Sequence, residues 1–305
     1  MSATPSPAQR IAAFTTIYLV WGSTYLGIRM AVQTLPPLVM ASLRFICAGL
    51  ILLGLLRLRG PLQVTVRQLR DNAVVGVLLL LGGNGLVAWA EQYVPSGITA
   101  LIIGVQPMVM VLTEWAWPGG KRPPALVFIG LALGFGGVAL LVAPSTASSE
   151  VLNVGGVAAI LFACVFWAFG SIYGRNARTP AQPFVASGLQ MVSGSLALAA
   201  AAGFRGEWSS WSPAATSATS WWATAYLTLV GSLVGFTTFA WLMKHSTPAR
   251  VATYAYVNPI VAVFLGWLVL SEPLGWRIAA AGIVIVLSVV IITVARQQVA
   301  KSSST

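Results

Sequence analysis

Ten stretches of this chain, each apolar over about 20 residues, limit its possible folds more than any other feature. A helix of about this length crosses the hydrocarbon core of a bilayer. A helix also satisfies the backbone hydrogen bonds of a single segment within lipid. The stretches therefore predict ten transmembrane helices, near residues 11–33, 37–57, 73–93, 97–117, 125–143, 152–175, 181–203, 221–243, 249–270 and 276–296.

The composition excludes an ordinary water-soluble protein. Of the 305 residues, 57% are hydrophobic and 8% are charged, whereas a soluble domain carries about 25% charged residues. A chain with so few charges lacks the polar exterior that even a large soluble domain keeps. The predicted fold class is an all-α membrane protein, with the lipid bilayer as its surroundings.

The net charge of +11 is distributed unevenly along the chain. If the N-terminus is cytoplasmic, thirteen Lys and Arg residues fall in inner segments and two, Arg205 and Arg277, in outer ones. Such an excess is typical of the cytoplasmic loops of membrane proteins. In a chain this apolar, the positive charge indicates orientation, and no nucleic-acid partner is expected. The sequence predicts a multi-pass protein of the bacterial inner membrane with both termini in the cytoplasm.

The two halves of the chain resemble each other at an offset near 150 residues. Matching motifs recur in the same order: Gly22-Ser23-Thr24-Tyr25 with Gly170-Ser171-Ile172-Tyr173, Ala88-Trp89 with Ala240-Trp241, Gln106-Pro107 with Asn258-Pro259, and Gly130 with Gly282. Each half holds five predicted helices, and because five is odd the second half enters the membrane from the opposite side. The prediction is two inverted five-helix repeats, 1–147 and 148–305, around a central cavity. Transporters that work by alternating access use this architecture.

Helices 4 and 9 each contain a proline at corresponding positions of the repeat. Pro107 and Pro259 leave a backbone carbonyl one turn earlier without its helical donor, and such a carbonyl needs a protein or water partner in a membrane. Paired interruptions of this kind indicate the binding site of a transporter, although a simple kink is the alternative. We assign helix breaking and gating to both prolines, and solute binding to Gln106, Asn258 and Tyr254.

Aromatic and polar side chains on helices 1, 3 and 6 complete the candidate binding site. Tyr18, Trp21 and Tyr25 follow each other at i, i+3 and i+7 and form one stripe of helix 1. Such rings suit amphipathic or aromatic solutes, and helix packing is the alternative interpretation. The remaining candidates are Asn84, Trp89, Trp167 and Tyr173.

Two ionisable side chains are predicted to lie near the outer half of the site. Arg44 lies seven residues into helix 2, or about 10 Å along its axis, where an unpaired charge is costly. It can bind a solute carboxylate or form an ion pair with Glu91 at the outer end of helix 3, and the ion pair is favoured. Glu91 is also the candidate for proton coupling, whereas a carrier driven by the solute gradient alone needs no such group.

The ordered motifs resemble a known family. Trp21-Gly22-Ser23 in helix 1, Arg44, the polar–proline pairs and Ser271-Glu272-Pro273-Leu274 are similar to the EamA-type ten-helix exporters of the drug/metabolite transporter superfamily. The resemblance covers nearly the whole chain. It implies export of amino acids or similar metabolites, with helices 1, 3, 4, 6, 8 and 9 around the cavity and helices 5 and 10 in support. A glutamate of the pattern is replaced by Gly119-Gly120, which argues against a mechanism that needs two acids.

The leading interpretation is a secondary transporter that exports amino acids, aromatic or other amphipathic ones favoured, or similar small metabolites. Drugs, cations and nucleosides are alternative solutes, and a membrane enzyme or a scaffold is the alternative class. An enzyme is disfavoured because the chain has one His and no catalytic constellation. It also lacks the GxxxxGK[ST] phosphate loop of ATP-driven proteins. No cofactor or metal is expected, and the chain is expected to act as a monomer or homodimer.

Overall fold

A computed structural model describes residues 5–120, 122–142, 152–180, 182–246, 248–251 and 253–302. In this part of the chain every regular element is helical, which confirms the predicted all-α class. Nine of the described helices are long and apolar enough to cross a membrane, and the apolar helix Val257–Leu270 is shorter. Together they account for the ten spans that the sequence predicts.

The spans are labelled α1 to α10 in chain order. Seven are continuous: α1 Pro7–Ala31, α2 Pro37–Leu58, α5 Ala125–Val142, α6 Val154–Asn176, α7 Pro183–Phe204, α9 Tyr254–Leu270 and α10 Trp276–Ser302. Three are built from consecutive segments: α3 from Val66–Gly76, Val77–Gly85 and Leu86–Ala90, α4 from Ser96–Ile103 and Gln106–Ala116, and α8 from Ala218–Tyr226, Leu227–Val234 and Gly235–His245.

The connection between α1 and α2 marks one end of the bundle, which the charge distribution predicts to face the outside. We call this the outer end, and the opposite one the inner end. The α3–α4, α7–α8 and α9–α10 connections lie at the outer end as well, because successive spans alternate in direction. A short helix that the sequence analysis did not predict, Glu207–Ser210, lies in the α7–α8 connection.

α1 and α3 begin four and seven residues before the apolar stretches that predicted them. The side chains of Ser6 and Thr65 each accept a hydrogen bond from the backbone N–H three residues later, at Gln9 and Gln68. Each glutamine side chain in turn accepts from the backbone N–H of its cap. These two capping boxes satisfy the free donors of a helix start, so polar residues can begin the helix outside the apolar stretch.

Several helix contacts are related to each other by exchange of the two halves. α2 packs on α7, α5 on α10 and α4 on α9, so these helices meet their own counterparts. α1 packs on α8 and α9 in the way that α6 packs on α3 and α4. This two-fold pattern agrees with the predicted repeat. The predicted boundary between residues 147 and 148 lies outside the described residues and stays a prediction.

Two π-helical segments occupy corresponding places in the halves, Val77–Gly85 in α3 and Leu227–Val234 in α8. π-Helical turns are rare and are frequent at functional sites. In α3 the side-chain amide of Asn84 donates to the carbonyl of Leu79, five residues earlier, at 3.3 Å. Asn84 lines a cavity between the helices, described below. Ser232 in the second segment accepts a hydrogen bond from Arg44, which lines the same cavity. Both segments therefore belong to the middle of the bundle.

Candidate functional site

A cavity of about 240 Å³ lies in the middle of the bundle. It is enclosed by α1, α3, α4, α6, α8 and α9, the helices that the resemblance implies, and α2 contributes one further residue. Ten of the sequence-predicted site residues line it: Trp21, Tyr25, Arg44, Asn84, Gln106, Pro107, Trp167, Tyr254, Asn258 and Pro259. The structure thus brings these residues together, and their role in solute binding stays a prediction.

The two predicted helix breaks differ. α4 is interrupted at Gly104–Val105, and Pro107 stands in the first turn of the following segment, where a missing N–H leaves no helical bond unmade. Pro259, in contrast, lies inside the continuous α9, so the predicted break at this proline is wrong. The carbonyl four residues before Pro259 belongs to Ala255, which lines the cavity. Water or solute can satisfy it there, so the helix need not break.

The guanidinium of Arg44 is the cationic group of the cavity wall. Its side chain is 4% exposed, and its Nε donates to the hydroxyl of Ser232 at 2.8 Å. The guanidinium carbon lies 4.6 Å from the ring centroid of Phe45, a cation–π contact. Gly231 leaves room for the terminal nitrogens, because a Cβ there would lie 3.3 Å from Nη2. Within the described residues no carboxylate lies within ion-pair distance of Arg44.

Glu91 does not form the predicted ion pair with Arg44, so that prediction is wrong. The Glu91 side chain is fully buried, and neither carboxyl oxygen has a hydrogen-bond partner in the described part of the chain. Arg29 of α1 donates to the backbone carbonyl of Glu91, not to its carboxylate. Arg44 is held by Ser232 of α8 instead. The positions of Arg44 in α2 and of Glu91 in α3 gave no indication that Ser232 of α8 binds Arg44 instead.

Aromatic rings form one wall of the cavity. The indole of Trp21 meets the ring of Tyr254 edge to face, with centroids 5.0 Å apart. Phe236 of α8 lies 5.8 Å from Trp21 and also lines the cavity. Edge-to-face pairs of this kind hold rings in fixed orientations. The cavity therefore offers a rigid apolar surface beside the Arg44 guanidinium.

Two amides connect the lining helices. The Gln106 side chain of α4 donates to the carbonyl of Cys164 in α6 at 3.2 Å. With its amide nitrogen assigned to the side that faces two carbonyls, Asn258 donates to Tyr254 at 3.1 Å and to Tyr18 at 3.2 Å. In both residues the nitrogen is occupied by protein carbonyls. The side-chain oxygens are left as the acceptors these amides can offer to a solute.

Three predicted binding residues lie away from the cavity. Tyr18 hydrogen-bonds the Thr253 hydroxyl at 2.5 Å, closer to the inner end than Trp21. Trp89 packs on Tyr93 with centroids 5.2 Å apart. Helical geometry explains two of these outcomes, since each residue advances the helix by about 100°. Trp89 therefore points about 160° away from the lining residue Val87, and Tyr173 about 120° away from Trp167.

Several lining residues were missed by the sequence analysis. Most of them are small or apolar side chains, and periodicity with Trp21, Asn84 and Pro107 could have suggested some of them. The missed lining residues are Thr24, Ile28, Gly83, Val87, Ala100, Ile103, Gly104, Met110, Ala163, Cys164, Phe236 and Ala255.

A second cavity, of about 580 Å³, lies at the inner end between the α4–α5 connection and α6. Glu114 and Arg175 line it and form an ion pair at 2.7 Å, with the Arg175 side chain 60% exposed. This cavity is a surface cleft, whereas the central one is surrounded by both repeats. Within the described ranges, no group of three or more His, Cys, Asp or Glu is placed to hold a metal ion.

Glu272, part of the family motif, caps α4. Its carboxylate accepts from the backbone N–H groups of Ser96 and Gly97 at 2.8 and 3.0 Å, and from the Ser96 hydroxyl at 2.8 Å. The residue before α4 is Pro95, whose side chain cannot cap a helix. A carboxylate there satisfies the free donors and meets the positive end of the helix dipole. The contact joins the α9–α10 connection to the first half at the outer end.

Glu207 plays the same part for α2. Its carboxylate accepts from the backbone N–H groups of Leu38 and Val39 at 2.8 and 3.2 Å. α2 also begins after a proline, Pro36, which makes no side-chain cap. A helix start that lacks Ser, Thr, Asp or Asn is the sequence signal for a cap from elsewhere in the chain. It does not identify which residue supplies the capping carboxylate.

Replacing Glu272 by alanine is expected to lower stability by about 0.5–2 kcal/mol, the range for loss of a helix N-cap. Three donors at the start of α4 lose their acceptor. The measurement is the thermal midpoint of the purified protein in detergent. Arg70→Ala is the control, because the Arg70 side chain in its ion pair with Asp71 is 71% exposed. Equal midpoints for the two variants would contradict the capping role.

The family model described as the EamA-like transporter family matches residues 11–143 and again residues 154–294. The chain is similar to the uncharacterized inner membrane transporter YedA of Escherichia coli (strain K12), with 36% identity over 285 residues, 93% of this chain and 90% of that protein. It is also similar to the uncharacterized transporter YvbV of Bacillus subtilis (strain 168), with 26% identity over 90% of this chain and 88% of that protein. A crystal structure with 20% sequence identity superposes with a TM-score of 0.66, covering 96% of this chain and 99% of that one, and shows a common fold.

Proposed function

Because this chain belongs to the EamA-like transporter family of the drug/metabolite transporter superfamily, we propose that it exports small carboxylate-bearing metabolites through its central cavity. Amino acids are the foremost candidates. The expected site is the inner membrane, which is also where the name of the E. coli relative places that protein.

The observation that carries the proposal is the Arg44 guanidinium, which is buried in an apolar wall and has no carboxylate partner in the described residues. A buried, unpaired charge is costly. Ser232 occupies Nε, and the two terminal nitrogens remain to bind a planar anion. Arginine binds carboxylates through such a pair of parallel hydrogen bonds. A solute carboxylate therefore supplies the counter-charge that Glu91 does not.

Acceptors elsewhere on the wall suit the ammonium group of an amino acid. The Ala255 carbonyl loses its helical donor to Pro259, and Ala255 lines the cavity. The side-chain oxygen of Gln106 remains an acceptor because its nitrogen is bound to Cys164. An ammonium group brings three donors and no acceptor. One guanidinium together with these oxygens matches a zwitterion.

The size and walls of the cavity favour a single small metabolite with an apolar side chain. Its volume of about 240 Å³ is below the roughly 300–1,000 Å³ of pockets that hold drug-sized ligands. The rings of Trp21, Trp167 and Tyr254 line it and offer flat faces for stacking. These features support amino acids over larger drugs as the solute.

Alternating access would proceed by rearrangement of the two repeats around the cavity. The interruption of α4 and the π-helical segments of α3 and α8 are places where the lining helices depart from regular α-geometry. The thirteen basic residues of the inner segments against two of the outer ones support cytoplasmic termini.

The test is flux into proteoliposomes that contain the purified protein, with radiolabelled amino acids, nucleosides and a cationic dye as separate arms. We expect flux above that of protein-free vesicles for amino acids with aromatic or aliphatic side chains. Nucleosides and the dye lack a carboxylate and are expected to stay at the background. Transport of the dye or nucleosides without any amino acid would overturn the assignment of the solute.

Filling the cavity is expected to abolish this flux. Ala255→Trp places an indole in a space of about 240 Å³, and the solute is then excluded sterically. Ala279→Trp on the exposed face of α10 is the matched control and should transport as the unchanged protein does. Initial rates at equal reconstitution density compare the two variants. Full activity of Ala255→Trp would show that the solute takes another path.

A further inference from the structure

Two tryptophans of the cavity wall each lie against a glycine of the opposite repeat. Trp167 of α6 faces Gly83 of α3, where a Cβ would lie 3.0 Å from the indole Cε3 and 3.7 Å from Cζ3. Trp21 of α1 faces Gly235 of α8, where a Cβ would lie 2.5 Å from the indole Nε1 and 3.0 Å from Cδ1. Both indoles line the cavity. Each ring therefore packs directly on the backbone of the facing helix.

The two contacts are counterparts in the repeat. Gly83 and Gly235 are 152 residues apart, the same separation as between the polar–proline pairs of α4 and α9. Trp21 and Trp167 lie in α1 and α6, the first helices of the two halves. Gly83 belongs to the π-helical segment of α3, and Gly235 directly follows the π-helical segment of α8. The recurrence of this contact on the cavity wall of both halves indicates that ring and glycine act together in the site.

A side chain at either glycine would push the indole toward the empty space of the cavity. Three other rings already pack on Trp21, with centroid distances of 5.8, 5.1 and 5.0 Å: Phe236, Phe239 and Tyr254. Packed rings and helix backbones yield little because protein interiors are close-packed, so the cavity is the side toward which the ring can move. The Cβ distance of 2.5 Å at Gly235 requires a larger displacement than the 3.0 Å at Gly83. The bare backbone of each glycine therefore keeps the cavity at its full width.

We propose that Gly83 and Gly235 set the largest side chain that the solute site accepts, because they allow the two indoles to lie back against the helices. The inference rests on the proposed function and adds its size selectivity. With glycine at both positions the cavity accepts flat aromatic side chains, on which the indole faces stack. With alanine at either position, aromatic amino acids are excluded before small ones are. One methylene of fit in an apolar pocket changes discrimination about 10- to 200-fold.

Gly82, the neighbour of Gly83, provides a matched control. A Cβ there would lie 2.5 Å from Cγ of Phe166, the residue before Trp167. Phe166 is 40% exposed and stands outside the cavity wall, so its ring can move away from α3 without entering the cavity. Gly82→Ala therefore changes the same π-helical segment and displaces an aromatic ring, yet it leaves the width of the cavity unchanged. The comparison separates selectivity from damage to helix packing.

The first measurement is the ratio of kcat/KM for L-phenylalanine to kcat/KM for L-alanine in proteoliposomes. Gly83→Ala and Gly235→Ala should lower this ratio about tenfold or more, whereas Gly82→Ala should keep the ratio of the unchanged protein. Adding Trp167→Phe to Gly83→Ala should restore the ratio, because a smaller ring leaves room for the new methyl group. An unchanged ratio in folded Gly83→Ala, or an equal fall in Gly82→Ala, would overturn the inference.

A second measurement does not depend on which solute is carried. Ala255→Cys places a thiol on the cavity wall, in a protein whose two native cysteines, Cys47 and Cys164, are replaced by alanine. The rate of thiol modification by benzyl methanethiosulfonate is divided by the rate for the methyl reagent. Gly83→Ala should lower this ratio about tenfold, and Gly82→Ala should not. If the ratio falls while no amino acid is transported, the proposed solute fails and the role of Gly83 stands. A ratio that Gly83→Ala leaves unchanged refutes that role.

Discussion

Replacing Arg44 by methionine is expected to abolish transport of carboxylate solutes. The side chain keeps its apolar contacts but loses the charge and both terminal nitrogens that are available to a carboxylate. Loss of a buried charged partner costs about 2–5 kcal/mol, so binding should weaken by at least about 30-fold. The measurement is initial flux of radiolabelled phenylalanine, with the concentration dependence recorded to separate affinity from maximal rate.

Two further variants at the same contact test the mechanism. Arg44→Lys keeps the charge but not the planar fork of donors, so affinity should fall while some transport remains. Ser232→Ala removes the hydroxyl that accepts from Nε and should affect transport less than either change at Arg44. Arg44→Met removes a costly buried charge and is expected to remain folded. Normal flux by folded Arg44→Met would refute the carboxylate site.

Replacing Gly76 by alanine is expected to destabilise the protein strongly. A Cβ on Gly76 of α3 would lie 2.3 Å from the carbonyl oxygen of Gln190 in α7 and 2.6 Å from the Ser193 hydroxyl oxygen. The carbonyl belongs to a helix backbone, so relief requires α3 and α7 to move apart. Overpacking of this kind costs about 1–3 kcal/mol. The thermal midpoint in detergent should fall accordingly.

The matched control is Gly54→Ala in α2. A Cβ at Gly54 would have no neighbouring atom within 4 Å. Alanine favours a helix over glycine by about 1 kcal/mol, so the thermal midpoint should stay the same or rise. Equal thermal midpoints for Gly76→Ala and Gly54→Ala would contradict the close approach of α3 and α7 at Gly76. The pair therefore tests packing separately from helix propensity.

The predicted spans were reliable because the signal for each is local. An apolar run of about 20 residues has one stable form in lipid, a helix, so counting such runs was sufficient for α5 or α7. The ends were less certain. α3 extends seven residues beyond its apolar stretch because Thr65 and Gln68 cap it, and hydropathy does not register a cap.

The candidate site was predictable where the chemistry repeats along the chain. Gln106-Pro107 and Asn258-Pro259 were found because both halves carry a polar residue and a proline at the same offset, and the structure places all four on the cavity wall. Trp89 and Tyr173 were drawn from the same repeat, yet they point elsewhere. Repeat position determines depth along a helix, whereas the direction of a side chain around the helix depends on neighbours that the repeat does not specify.

The sequence by itself determined the class of the protein, its ten helices and the pairing of its halves, because each depends on residues within one helix or on a comparison of the chain with itself. Tertiary structure decided what Arg44 contacts, and that the Glu91 carboxyl oxygens have no hydrogen-bond partner within the described residues. It also decided that Glu207 and Glu272 cap helices more than 160 residues earlier in the chain. Charges in a membrane interior take the partners that three-dimensional packing brings within hydrogen-bond distance. Ser232 reached Arg44 across 188 residues of sequence, and no local pattern records that distance.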